Sequence, residues 1–347
     1  MTEIESLLRP NVVRMKPYSS ARDEFSGMAL VYLDANENPY PVDYSRYPDP
    51  AHTALRGKIA GLKGLHPSQI FTGNGSDEAI DLLIRLFCEP GIDNLIALSP
   101  SYGMYGVAAD VNNVECRRVM LRASDFDFTA DSLIEASDSL TKLIFLCSPN
   151  NPTGNLLSRA EIVALLDRFA GIVVVDEAYL DFAASPSFAG LIYKYPRLVV
   201  MQTLSKAWGA AGIRLGMAFA HPDVIAAMQK IKYSYNVNSP TLELALARLD
   251  REDEMKRQVE EILAERRRLA DRLERLPVVV KVYPSDANFL LVKVADANAV
   301  YDGLLRKGVV VRNRHGLDLC DNCLRITVGV PKENDLLLEA LNRITGL

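Results

Sequence analysis

Apolar positions in this chain come in short blocks rather than in strict alternation with polar ones. NLIALS (94–99), KLIFLCS (142–148), GIVVVDEA (171–178) and RLVVMQTLS (197–205) are such blocks, rich in β-branched residues. Runs of this kind predict strands buried on both faces. Between two of them, SRAEIVALLDRFA (158–170) has helical spacing, with Ser158 and Glu161 placed as a capping box. Earlier in the chain Ser76 reads as an N-cap and Asp77 and Glu78 occupy a first turn. AIDLLIRLF then continues that helix to a stop at Pro90-Gly91. Strands linked by helices imply a mostly parallel central sheet flanked by helices, an α/β fold.

After YNVNSPT (235–241) the pattern changes. It predicts a long charged helix over about 242–275, hairpin-like strands within 278–294, a helix near 297–307, and then GVVVRN and CLRITVGV. That is an α+β order. The expected layout is an N-terminal arm over 1–35 that packs with the small domain, a large α/β domain over 36–238, and a smaller α+β domain over 239–347.

At 347 residues, 49% hydrophobic and 24% charged, the chain has the composition of a globular protein with a large core. A net charge of −5 argues against nucleic acid or an anionic membrane as the main partner. No apolar run reaches the roughly 18 residues of a membrane span. MTEIESLLRPNVVRMKPYSS, at the N-terminus, lacks the apolar core of a signal peptide, so a cytoplasmic location is expected. The five cysteines are an odd number and read as reduced thiols. Cys320 and Cys323 form a lone CxxC near His315 with no second pair to complete a zinc site, so no metal is expected.

Four segments carry candidate chemistry, each with a plainer reading beside it. GNGSDEA (73–79) is a phosphate-binding helix entry or an ordinary capped helix after a glycine turn. SPNNPTG (148–154) presents an asparagine amide on a rigid turn, or is a tight loop. In VVVDEAY (173–179), Asp176 and Glu177 end an apolar strand, where a carboxylate needs a partner. One of them holds a cation, or reaches the surface or caps a helix. TLSK (203–206) ends another strand with Lys206, whose amine becomes nucleophilic if desolvated, unless it extends to solvent. A phosphate cradle, a buried aspartate, a tyrosine, an asparagine and a strand-end lysine are together what pyridoxal 5′-phosphate requires.

The motifs SPNNPTG, DEAY, TLSKAWG and GIRLG, with the more specific DANENPY (34–40), RYPD (46–49), GSDEAIDLLIRLFCEPG (75–91), PSYGMY (100–105) and RITVG (325–329), extend over nearly the whole chain. On these motifs it resembles the fold-type-I, pyridoxal-phosphate-dependent aminotransferases of class II. Within them it is most similar to the histidinol-phosphate aminotransferases.

The resemblance implies roles by position. Lys206 would attach the cofactor and shuttle the substrate proton, Asp176 would pair with the ring nitrogen, and Asn151 and Tyr179 would donate to the phenolic oxygen. Tyr102 would stack on the ring. The N–H groups of Ser76 and Asp77, with Thr203 or Ser205 and Arg214, would hold the phosphate. Tyr47 would reach the cofactor phosphate of a partner subunit, which implies a homodimer with shared sites. Arg325 would bind a substrate anion, while Arg312 and Tyr18 would lie near the substrate phosphate and Asn36 near the substrate. The implied reaction is a ping-pong transamination in histidine biosynthesis, with L-histidinol phosphate and 2-oxoglutarate/glutamate as substrates. The alternatives are an aromatic amino-acid aminotransferase, a threonine-phosphate decarboxylase and a non-catalytic cofactor-binding protein.

Overall fold

The computed structural model describes residues 2–18 and 29–344; the remainder of the expected arm, residue 1 and residues 19–28, lies outside the described residues. Seven strands form the larger sheet: β1 (Ile70–Asn74), β2 (Asn94–Ser99), β3 (Glu115–Met120), β4 (Thr141–Cys147), β5 (Ile172–Asp176), β6 (Leu198–Thr203) and β7 (Leu215–Ala220). Their order is β1-β7-β6-β5-β4-β2-β3. The strands β3, β2, β4, β5 and β6 run parallel, and β7 is antiparallel to both β6 and β1.

The apolar blocks become strands because helices cover them on both sides. One covering helix, Gly75–Phe87, buries Ala79, Ile80, Leu83, Ile84 and Phe87, a spacing that lines one helical face. That helix starts one residue before the expected cap: Asn74 is the N-cap and makes no side-chain cap bond. Ser76 therefore lies inside the first turn, with its N–H among the donors that a helix start leaves unpaired. The capping box at 158–161 is half formed. Ser158 Oγ accepts from the Glu161 N–H, but the Glu161 carboxylate turns away to accept from the Ala130 N–H at 2.6 Å.

The second sheet has four antiparallel strands, β8 (Val279–Val282), β9 (Phe289–Val294), β10 (Arg312–Asn313) and β11 (Cys323–Thr327), in the order β10-β11-β9-β8. Strand alternation decides what each face meets. Leu290, Val292, Leu324 and Ile326 pack with Leu269, Leu304 and Leu341 of the covering helices. Phe289, Leu291 and Cys323 point the other way, into the core shared with the large sheet. Arg325 and, opposite it on β10, Arg312 stand on that second face. The single long helix expected over 242–275 is two, Ser239–Leu249 and Glu252–Leu273, broken at Asp250 and Arg251.

The arm differs from the expectation. Over residues 2–18 it packs on the large unit, with Ile4 and Val12 in the cluster built around Ile80, Leu83 and Phe87. Arg9 pairs with Glu89 at 3.1 Å. Ile4 and Val12 find the apolar surface of the nearest helices there, whereas the small unit's core is already closed by its own three helices.

Candidate active site

The carboxyl ends of β4, β5 and β6 open into one cleft, and the ends of α/β sheet strands are where ligands of such folds sit. Asp176 ends β5 and is 2% exposed. Its Oδ2 accepts from the Tyr105 hydroxyl at 2.8 Å and its Oδ1 from the Ala178 N–H at 3.1 Å. Burial raises its pKa to about 6, against the pull of those two donors. No lysine or arginine among the described residues forms a salt bridge with it, so a buried carboxylate faces the cleft with room for a cation.

Glu177, its neighbour, points to the opposite face of the strand. It accepts from Ser187 Oγ and the Phe188 N–H, both at 2.6 Å, and from Gln202 Nε2 at 2.9 Å. Those three donors occupy it structurally. Of the two strand-end carboxylates, Asp176 is the one in the cleft.

One wall is the start of helix Gly75–Phe87. Gly75 has φ +74° and donates its N–H to the Arg214 carbonyl at 2.6 Å. Gly216 lies against that turn so closely that a Cβ would come within 2.2 Å of Gly75 C and Ser76 N. The close approach turns the Ser76 and Asp77 N–H groups into the cleft, where the helix dipole favours an anion. Arg214 itself adopts a left-handed backbone, φ 57°, and its guanidinium reaches Asp77 Oδ2 at 3.6 Å. Thr203 and Ser205, joined by a 2.9 Å hydrogen bond, complete the same corner.

Lys206 lies at the mouth of the cleft, its Nζ 5.5 Å from the centroid of the Tyr179 ring. Its pKa is lowered by desolvation first, then by the Arg325 and Arg214 cations. The two asparagines of SPNNPTG divide the labour. Asn150 is fully buried and ties the loop together through Pro100, Ser101 and Thr153. Asn151 faces the cleft. Its Oδ1 accepts from an Arg325 terminal N–H at 2.6 Å, and because a guanidinium only donates, this fixes the amide so that Nδ2 faces the Tyr179 hydroxyl at 3.5 Å. Burial keeps the Tyr179 phenol protonated. Tyr102 forms another wall, its hydroxyl donating to Asp77 Oδ1 at 3.0 Å.

The remaining expected residues lie elsewhere in the single chain. Tyr18 lines a separate groove with Arg56 and Lys230. Asn36 and Tyr47 line a third, where Tyr47 stacks on Tyr235 at 4.3 Å. Arg312 is exposed on β10, directly across from Arg325. Cys320 and Cys323 are both buried, with thiols pushed up to about 12 and about 11 by burial, so they stay neutral.

Two residues were missed in the sequence. Tyr105, the second tyrosine of PSYGMY, is fully buried and bonded to Asp176. Arg314 lies two residues beyond Arg312, with an Nε shut off from solvent and lacking a hydrogen-bond partner. An R-x-R on a strand is the signal that would have drawn attention to it.

Pyridoxal 5′-phosphate fits this cleft. The glycine turn at 75 and 216 leaves a cradle that a Cβ would fill. Asp176 is buried and has no salt-bridge partner among the described residues, so it suits a protonated ring nitrogen. Lys206 would supply an amine for the cofactor's aldehyde, and Asn151 and Tyr179 would supply donors for its phenolic oxygen.

The known proteins agree. The family model described as aminotransferase class I and II matches residues 36–341. A histidinol-phosphate aminotransferase of Parabacteroides distasonis is 59% identical over 99% of both chains, and one of Bacteroides thetaiotaomicron is 53% identical over the full length of both. The crystal structure of the Sinorhizobium meliloti histidinol-phosphate aminotransferase in complex with pyridoxal-5′-phosphate superposes with a TM-score of 0.80. It is 26% identical and covers 87% of this chain and 83% of its own. The chain belongs to the class I and II aminotransferases.

Proposed function

We propose that the protein is a histidinol-phosphate aminotransferase that exchanges the amino group between L-histidinol phosphate and 2-oxoglutarate in histidine biosynthesis. The observation that carries this is the 59% identity, over 99% of both chains, to a relative of that name. The cleft supports it, since each group such a reaction needs is present.

Pyridoxal phosphate, when bound, supplies an electron sink for negative charge at the substrate Cα. The chain's own residues do the rest. Asp176, ionised beside a ring cation, keeps the ring nitrogen protonated. Asn151, held by Arg325, and Tyr179 donate toward the phenolic oxygen. The Ser76 and Asp77 N–H groups, Thr203, Ser205 and Arg214 hold the phosphate. Lys206, with its lowered pKa, is the base that takes and returns the proton at the substrate Cα. The Arg325 Nε, buried and without a hydrogen-bond partner, is a donor left for a substrate anion.

We further infer the division into an arm over 1–35, a cofactor-binding domain over 36–238 and a small domain over 239–347, and a cytoplasmic homodimer. Leu30, Val31, Leu33, Tyr40, Val42 and Tyr44 are all more than half exposed in one continuous segment. Such a surface suits a partner subunit, and would bring Tyr47, Asn36 and Tyr18 to a shared site. Light scattering that returned the mass of one chain would contradict this assembly.

Steady-state assays with L-histidinol phosphate, phenylalanine and threonine phosphate, each with 2-oxoglutarate, test the activity. Fast turnover of histidinol phosphate alone is expected. Faster turnover of phenylalanine, or carbon dioxide release from threonine phosphate, would sink the assignment.

A further inference from the structure

We infer that Arg314 is a specificity-determining residue, the third arginine of the substrate-phosphate subsite. This inference rests on the function proposed above. Strand alternation gives the first reason. Asn313 and Leu324 face the helix layer, Asn313 bonding Asn298 and Leu324 fully buried in the small-domain core. Arg312 and Arg325 are register partners on the other face, and Arg314, whose N–H donates to the Cys323 carbonyl at 2.9 Å, continues that face.

Counter-charge gives the second reason. Among the described residues no carboxylate forms a salt bridge with Arg312, Arg314 or Arg325. Among the described residues the Arg325 guanidinium hydrogen-bonds Asn151, and both Arg314 and Arg325 keep a solvent-shielded Nε without a partner. Burial and the two neighbouring cations push the Arg314 pKa down to about 10, and the Tyr179 phenol lies within its electrostatic reach. Three like charges on one face repel one another and leave donors unpaired. A dianion with three acceptor oxygens relieves both penalties, which a single carboxylate does only in part. Arg314 would thus favour a phosphorylated substrate over its unphosphorylated counterpart.

The test compares wild type, Arg314→Gln and Arg314→Lys holoenzymes on L-histidinol phosphate and L-histidinol. The expected result is a fall of roughly 10- to 100-fold in the kcat/KM ratio of the two substrates for Arg314→Gln, carried by KM, with partial recovery in Arg314→Lys. An unchanged ratio overturns the inference, and an unaltered cofactor absorbance checks that each variant is folded. Should wild type not turn over histidinol phosphate, the proposed function falls separately. Calorimetric titration of histidinol phosphate then decides Arg314: weaker binding to Arg314→Gln supports it, and equal or absent binding to both overturns it.

Discussion

The Tyr105 hydroxyl donates to Oδ2 of Asp176 at 2.8 Å, joining the helix after β2 to the end of β5 across 71 residues of sequence. The Tyr105 ring is fully buried and stacks on Phe145 at 4.8 Å, so the hydroxyl is fixed in place. A hydrogen bond to the ionised form lowers a carboxyl pKa, and here it opposes the upward push of burial. Tyr105 is thus a positioning residue that keeps Asp176 available as an anion.

Tyr105→Phe removes that donor. The Asp176 pKa should rise by a further one to two units, roughly the worth of a hydrogen bond to a charged group. In the cofactor-free protein the titration of the Asp176 carboxyl, followed by carbon NMR, should move to higher pH, while the aromatic ring that the substitution retains still stacks on Phe145. A titration at the wild-type pH would show that the bond does not tune Asp176.

Asp176→Asn should lower kcat by at least about 10²- to 10³-fold, as expected when a preorganised electrostatic group is lost. The same change should stabilise the cofactor-free protein near pH 8. The folded-state pKa of about 6 is above the ordinary 3.8. The folded form therefore binds the proton more tightly, and this group's contribution is full below 3.8 and lost as pH rises through about 6. The penalty at alkaline pH is about 1–3 kcal/mol, and denaturation of both proteins at pH 4 and pH 8 measures it. Equal stability at pH 8 would contradict the unpartnered carboxylate.

Lys206→Ala should lower turnover by about 10³-fold or more, since it removes both the cofactor anchor and the proton carrier. After borohydride treatment wild type should hold the cofactor on the peptide that spans Lys206, and the variant should hold none. Covalent label on another lysine would move the assignment.

Gly216→Ala places a Cβ 2.2 Å from backbone atoms of Gly75 and Ser76 that have little room to retreat. The helix start must shift, so cofactor affinity should fall at least about tenfold, with a loss of about 1–3 kcal/mol in stability. Gly212→Ala, with nothing within 4 Å of its Cβ, is the control and should leave both near wild type. Fluorescence titration with the cofactor and thermal melting distinguish the two.

Much of the frame was legible in the sequence because its signals are local. NLIALS coincides with β2, KLIFLCS covers β4 except for Thr141, and the other two apolar blocks contain β5 and β6. The strand LGMAFA was not read as one, because β7 follows a turn made by a left-handed arginine and is defined by its antiparallel neighbours. Glu161 has the spacing of a capping residue yet bonds Ala130, a partner 31 residues away that no local pattern reveals.

The sequence by itself determined the apolar blocks, the helix faces and the residue types that pyridoxal phosphate calls for, since each follows from nearest neighbours along the chain. Only the tertiary structure decided which of two adjacent carboxylates faces the cleft, which of two adjacent asparagines is turned toward Tyr179, and which arginines share a face. Those choices depend on strand alternation and on donors brought in from distant segments. Ser187 and Gln202 take Glu177, Ser101 takes Asn150, and Tyr105 leaves Asp176 open to the cleft.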